Sequence, residues 1–157
     1  MAVFLALILG SLAARVLGWL GVDYVDGWPQ AIAVGLAVMF TMTGVAHFVG
    51  LRRDMIAIVP PRLTAFPSLR SPQSAAAQLV TITGVLELLG AVGLLYPPTR
   101  VAAAVCLFLL MLVMFPANVH AARMPNPPKS MTSRLSVRTA EEVVYLAAAV
   151  VVAVCGG

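Results

Sequence analysis

"AAAQLVTITGVLELLGAVGLLYPPTRVAAAVCLFLLMLVMFPANV", residues 75–119, decides how the chain folds. It holds two apolar runs, Ala75 to Leu95 and Val101 to Val119, joined through a double proline. A helix rises about 1.5 Å per residue, so about 20 apolar residues cross a hydrocarbon core about 30 Å thick. Each run is long enough. The turn "LLYPPTR" is too short for anything but an antiparallel helical hairpin. No segment alternates apolar and polar residues over about ten positions, as a membrane strand must. The fold class is therefore all-α.

Working outward, three further apolar runs appear: Ala2 to Leu20, interrupted by Arg15; Gln30 to Leu51; and Ala140 to Cys155. The last is about 24 Å long, short for a span, but Thr139 followed by Glu142 fits a capping box at its start. The first run offers small residues in "GSLAA", as a cleaved secretory signal would. No Lys or Arg precedes it, and its apolar character continues past Arg15, so a retained helix is expected. The pattern predicts a polytopic transmembrane bundle of five helices, residues 2–20, 30–51, 75–95, 101–119 and 140–155, in one domain over 1–157. Two long loops, 52–74 and 120–139, connect them. "RRDMIAIVPP" in the first reads as a short interfacial helix, with Met55, Ile56 and Val59 beneath Arg52 and Arg53.

Composition agrees. Of the 157 residues, 61% are hydrophobic and 10% charged, with a mean hydropathy of +0.99, against about 25% charged in soluble domains. Net charge is +4, but the basic residues gather in two loops. Arg52, Arg53, Arg62 and Arg70 lie in one; Arg123, Lys129, Arg134 and Arg138 lie in the other. Asp23 and Asp26 make the first short loop acidic, and Arg100 is the lone basic loop residue on that side. The positive-inside bias then puts the N-terminus and both long loops in the cytoplasm. The charge is for orientation and lipid contact, not nucleic acid. Arg52, Arg53, Arg123 and Arg134 are the candidate contacts to headgroups or a partner.

Ionisable groups inside spanning segments are costly, so each is a candidate for function. Glu87 sits about 12 Å and Arg15 about 8 Å from the outer ends of their helices, and they would form an ion pair if the first and third segments pack together. His47 lies near the cytoplasmic end of the second segment. Asn118 and His120 reach the same depth beyond an expected kink at Pro116, and the Glu141–Glu142 pair opens the last segment at that face. Three readings compete for this cluster: plain anchoring of helix ends, a site for an amphipathic ligand such as a quinone headgroup, and metal or haem ligation. No HxxxH or CxxC spacing supports the last, so no metal and no haem is expected. Cys106 and Cys155 sit in apolar runs and read as buried small residues. No GxGxxG, GKS, GKT or nucleophile elbow points to soluble-type catalysis.

Three blocks, "TGVAHFVGLRRDMIAIVPP", "TGVLELLGAVGLLYPPTRVAAA" and "MFPANVHAA", resemble the DoxX-like integral membrane proteins in order and spacing. The resemblance implies a four-helix core with an added first helix, and places His47, Glu87, Pro116 and Asn118 at the family's characteristic positions. It implies membrane redox work: a subunit of a thiosulfate:quinone oxidoreductase, a partner of thiol and superoxide detoxification enzymes, an amine dehydrogenase maturation factor, or a membrane chaperone. Of that family's R-L-P pattern, "RLSVRTAEE" keeps only Arg134 and Leu135.

The expected function is an accessory in bacterial inner-membrane redox or respiratory chemistry. It holds a quinone or lipid in a pocket of His47, Glu87 and Asn118 with His120 at its mouth, working with a respiratory partner or as a homo-oligomer. No catalysis of its own is expected beyond a place as an oxidoreductase subunit. The alternatives are an assembly or scaffold subunit, with Gly84, Gly90 and Gly93 admitting a partner helix, and a small-solute transporter.

Overall fold

A computed structural model of the chain describes residues 1–64 and 71–157, so Arg70 of the first basic loop lies outside the described residues. Seven α-helices occur among them: α1 Ala2–Trp19, α2 Trp28–Ala46, α3 Arg52–Ala57, α4 Pro61–Thr64, α5 Pro72–Leu95, α6 Pro97–Arg123 and α7 Leu135–Cys155. Short 3-10 turns stand at Asp23–Val25 and Lys129–Met131. Each of the five expected segments is a long helix, and α3 is the helix read in "RRDMIAIVPP". Four helices, α1, α2, α5 and α6, are long and apolar enough to cross a membrane. The fifth, α7, carries Arg138, Glu141 and Glu142 near its start and is not among them.

The helix ends follow local chemistry. Pro97, expected in a turn, instead opens α6, where its missing N–H has no helical partner to lose. Ser71 and Ser74 form a reciprocal capping box that starts α5. The box expected at Thr139 does not form: α7 begins at Leu135, capped by Arg134 without a side-chain bond. The second segment ends at Ala46 rather than Leu51, because His47 caps it and Gly50 turns the chain at φ +77°. The helix α6 runs on through Pro116, which lies on its exposed side.

The helix α2 packs against α1, α5 and α7, and α6 joins α5 to α7. Leu36, Met39 and Phe40 of α2 meet Leu94, Leu107, Met111, Ala149 and Val152 in one buried cluster. Close approach depends on small residues. A methyl group at Gly35 would stand 2.6 Å from the Leu7 carbonyl of α1, and one at Gly84 would stand 2.5 Å from the His47 Cβ. Gly90 and Gly93 are likewise filled, by Leu107 and Ala103 of α6. The three glycines expected to admit a partner helix therefore seat helices of the bundle itself.

The outer surface is apolar, with Leu9, Leu89, Val92, Val113 and Val154 all exposed. Cys106 and Cys155, expected to be buried, are free thiols on this surface. Their helix positions point away from the cluster that fills the interior.

Candidate functional site

The antiparallel packing sorts the polar residues to two ends. Near the α1–α2 turn, Arg15 pairs with Asp26 at 3.5 Å and lies over the rings of Trp19 and Trp28. Beside it, buried Arg100 donates to the carbonyls of Leu94 and Gly156 and stacks on Tyr24. The expected ion pair between Arg15 and Glu87 is thus not formed. The helix α1 packs on α2 rather than on α5, and Arg15 turns to the nearer Asp26.

Glu87 meets His47 instead. His47 follows the last residue of α2, and Gly84 of α5, without a side chain, lets it approach that helix closely. His47 and Glu87 are each 3% exposed, with Nε2 and Oε1 3.8 Å apart. The other ring nitrogen, Nδ1, stands 2.9 Å from the Thr43 carbonyl. A carbonyl only accepts, so Nδ1 carries the proton and Nε2 faces Glu87 with its lone pair in the neutral ring. One added proton therefore has two adjacent seats, the carboxylate and the imidazole.

This pair lines a cavity of about 430 Å³ between α2, α5, α6 and α7. Asn118 lines it from α6, and Arg138, Glu142 and Tyr145 line it from α7. The Arg138 guanidinium donates to the Asn118 side-chain oxygen at 2.9 Å and to the Met131 carbonyl at 2.8 Å. The first bond fixes the Asn118 amide, leaving its NH₂ as the end not taken by Arg138. The second, with a hydrogen bond from Ser130 to Asp54, fastens the 129–131 turn over the cavity mouth. Glu87 Oε2, Glu142 Oε1 and the Tyr145 hydroxyl are buried with no hydrogen-bond partner among the described residues. Such groups each cost about 1–3 kcal/mol when left dry, so they ask for water or a ligand. A second hollow, of about 490 Å³, on the outer side of α2 is lined by apolar residues and Thr41, without an ionisable group.

His47, Glu87 and Asn118 are thus brought together. His120 is half-buried on α6 and is not part of the lining. Pro116 is not part of it either, so the wall owes its form to Asn118 and not to an opened carbonyl. Arg52, read as a headgroup contact, is turned inward: it donates to the His47 carbonyl at 3.2 Å and to the Thr81 hydroxyl at 2.9 Å, clamping the end of α2 to α5. Arg53, Arg123 and Arg134 are exposed. Tyr145 and Arg138 were not legible as site residues from composition, yet their spacing carried a signal. Arg138, Glu142 and Tyr145 recur at intervals of four and three, one face of a helix.

The chain is thus an all-helical protein with four helices fit to cross a membrane and, at one end of the bundle, a largely apolar cavity into which a few polar side chains reach. It belongs to the family defined by a domain of unknown function, DUF8561, which matches residues 36–153. No curated protein and no solved structure matches it. The matched region takes in all of α5 and α6 and nearly all of α7, and leaves α1 outside. This family assignment overturns the DoxX-like resemblance, and the redox partners and chaperone roles drawn from it lapse with it. The three blocks that carried it are short, and the longest of them, "TGVLELLGAVGLLYPPTRVAAA", is mostly Gly, Leu and Ala, a composition that any close-packed apolar helix favours.

Proposed function

We propose that the chain is a multi-pass protein of the bacterial cytoplasmic membrane that binds an amphipathic small molecule in the cavity around Glu87. In this reading α7 is a fifth, shorter span, and the end bearing Arg53, Arg62, Arg123 and Arg134 faces the cytoplasm. The grouping of those cations at one end supports that orientation. One observation carries the ligand reading: Glu87, Glu142 and Tyr145 present unpartnered polar atoms to one cavity whose other walls are largely apolar. A quinone-type or lipid headgroup fits that chemistry, because it accepts hydrogen bonds from Tyr145 and Asn118 while its body rests on apolar side chains. The Glu87–His47 pair would hold or release the proton that such a headgroup exchanges. The role is binding in support of membrane chemistry done elsewhere.

Native mass spectrometry of the protein, extracted gently from its own membrane, tests this directly. A bound organic molecule of defined mass, lost in Glu87→Gln and in the Glu142→Gln/Tyr145→Phe pair, is expected. A bare chain, or a molecule retained in both variants, defeats the reading. A bare chain held to another protein at fixed stoichiometry would favour a scaffold role instead.

A further inference from the structure

Of the chain's eight methionines, seven line this one cavity, all but Met124. The lining is far richer in thioether than an apolar wall needs, since Leu or Val fills space with better-defined rotamers. The methionines also stand in layers. The packing of Gly84 on His47 and of Gly90 on Leu107 sets the register of α2, α5 and α6. That register puts Met111 and Met114 at the depth of His47, one helical turn apart on α6. Met39 lies buried deeper along α2, while Met42 is 45% exposed and also borders the hollow on the outer side of that helix. Met55 of α3 and Met131 lie at the mouth, where Ser130 and Asp54 tie their segments together.

A second, independent feature points to a ligand at the middle layer. Nδ1 of His47 is anchored to the Thr43 carbonyl, which leaves Nε2 as an oriented donor of a lone pair. Holding the far ring nitrogen on a carbonyl is how proteins set a histidine for metal ligation. Glu87, 3.8 Å from Nε2 and with a free Oε2, is a carboxyl group that can give up its proton to balance a single positive charge there.

The geometry points to a site for a soft monovalent cation, Cu(I), held by Met111, Met114 and His47 Nε2. The two thioether sulfurs select Cu(I) among the first-row metals; the imidazole serves Cu and Zn(II) alike, but Zn(II) would want thiolate, carboxylate or further imidazole in place of the thioethers. A single charge is also what one carboxylate, that of Glu87, can balance. Met55 and Met131 would receive the ion at the mouth. The site shares the Glu87–His47 pair with the organic-ligand reading but not its other groups: it adds the sulfurs of Met111 and Met114, where that reading adds the oxygen groups of Glu142 and Tyr145.

The test is an anaerobic titration of the full chain in detergent with Cu(I) against a chromophoric Cu(I) chelator, with copper-edge X-ray absorption to read the ligands. One Cu(I) per chain with both sulfur and nitrogen neighbours is expected. The Met111→Leu/Met114→Leu pair should weaken binding by about tenfold or more, and His47→Gln should remove the nitrogen contribution. Met to Leu conserves volume, so helicity should hold; if the double variant loses it, Met114→Leu alone serves. No uptake by the wild type, an all-oxygen shell, or undiminished affinity in the leucine variants overturns the site. A bound organic molecule kept by the leucine variants while Cu(I) is lost would separate the two readings.

Discussion

At the end of the bundle near Tyr24, buried cations are spent on closing the fold, while at the end near His47 buried acids are left open to a cavity. Arg100 ties the last carbonyls of α5 to the C-terminal end of α7, and Tyr24 donates to the Leu95 carbonyl beside it. At the other end Arg52 and Arg138 clamp the rim rather than the interior, joined there by the Ser130–Asp54 bond and by the ion pair of the N-terminal ammonium with Glu141 at 3.0 Å. Glu87, Glu142 and Tyr145 bring polar atoms inside without using them. Arg15 Nε and Arg100 Nη2 at the Tyr24 end are unpartnered too, but those guanidinium groups make other bonds and do not line the cavity, so the binding role is sought where the free atoms share one cavity. Closure and binding thus occupy opposite ends of one α2–α5–α6–α7 frame.

Breaking the frame itself should have the largest effect. Gly84→Ala sets a methyl group 2.5 Å from the His47 Cβ and 3.0 Å from its Cγ. Because the neighbour is the root of a side chain anchored to its own helix, it has little room to give. We expect a loss of about 3 kcal/mol, read as an earlier unfolding midpoint in detergent, with cavity binding lost as well. Unaltered stability would show that α2 and α5 do not meet through this glycine.

Arg100→Met comes next and separates the two ends. It removes two charge-assisted hydrogen bonds and the stack on Tyr24 but keeps the aliphatic stem. A loss of about 2 kcal/mol is expected, with any ligand carried by the cavity retained. If binding disappears while stability holds, the division of labour between the ends is wrong.

The length and apolarity of the helices were legible in the sequence because both are local properties. Proline and glycine punctuation located the breaks, although Pro97 and Pro98 proved to begin α6 rather than to fill a turn. What failed was tertiary. Thr139 and Glu142 have the spacing of a cap, but α7 starts about one turn earlier, at Leu135, and Arg138 in that added turn gains Asn118 and Met131 as partners. Arg15 and Glu87 looked like partners by depth alone, and depth does not say which helices touch. The cluster of His47, Glu87 and Asn118 was legible because polar residues at matching depth in apolar helices are few. Tyr145 was not, since a tyrosine near a helix end is an ordinary membrane anchor.

Within the cavity, substitutions should move binding and leave stability nearly still. Tyr145→Phe removes a hydroxyl that has no partner among the described residues, so the fold should change by less than about 1 kcal/mol, or gain. Glu87→Gln keeps the shape and removes the ionisable group beside His47. Thermal unfolding in detergent checks both. A large destabilisation from either would mean that these groups are structural, like Arg100.

The smallest effect is expected at the Arg15–Asp26 pair. Asp26 is 74% exposed in its side chain, and the 3.5 Å contact is long for a strong ion pair. Arg15 keeps its place over Trp19 and Trp28 whether or not the carboxylate is present. Asp26→Asn should therefore cost less than about 1 kcal/mol, falling further as salt is raised. Its comparison with Arg100→Met is the sharper reading, because both remove an arginine's interaction at the same end. A cost for Asp26→Asn as large as that for Arg100→Met would mean that α1, which lies outside the family match, is fastened as firmly as α5 and α7, which Arg100 ties together.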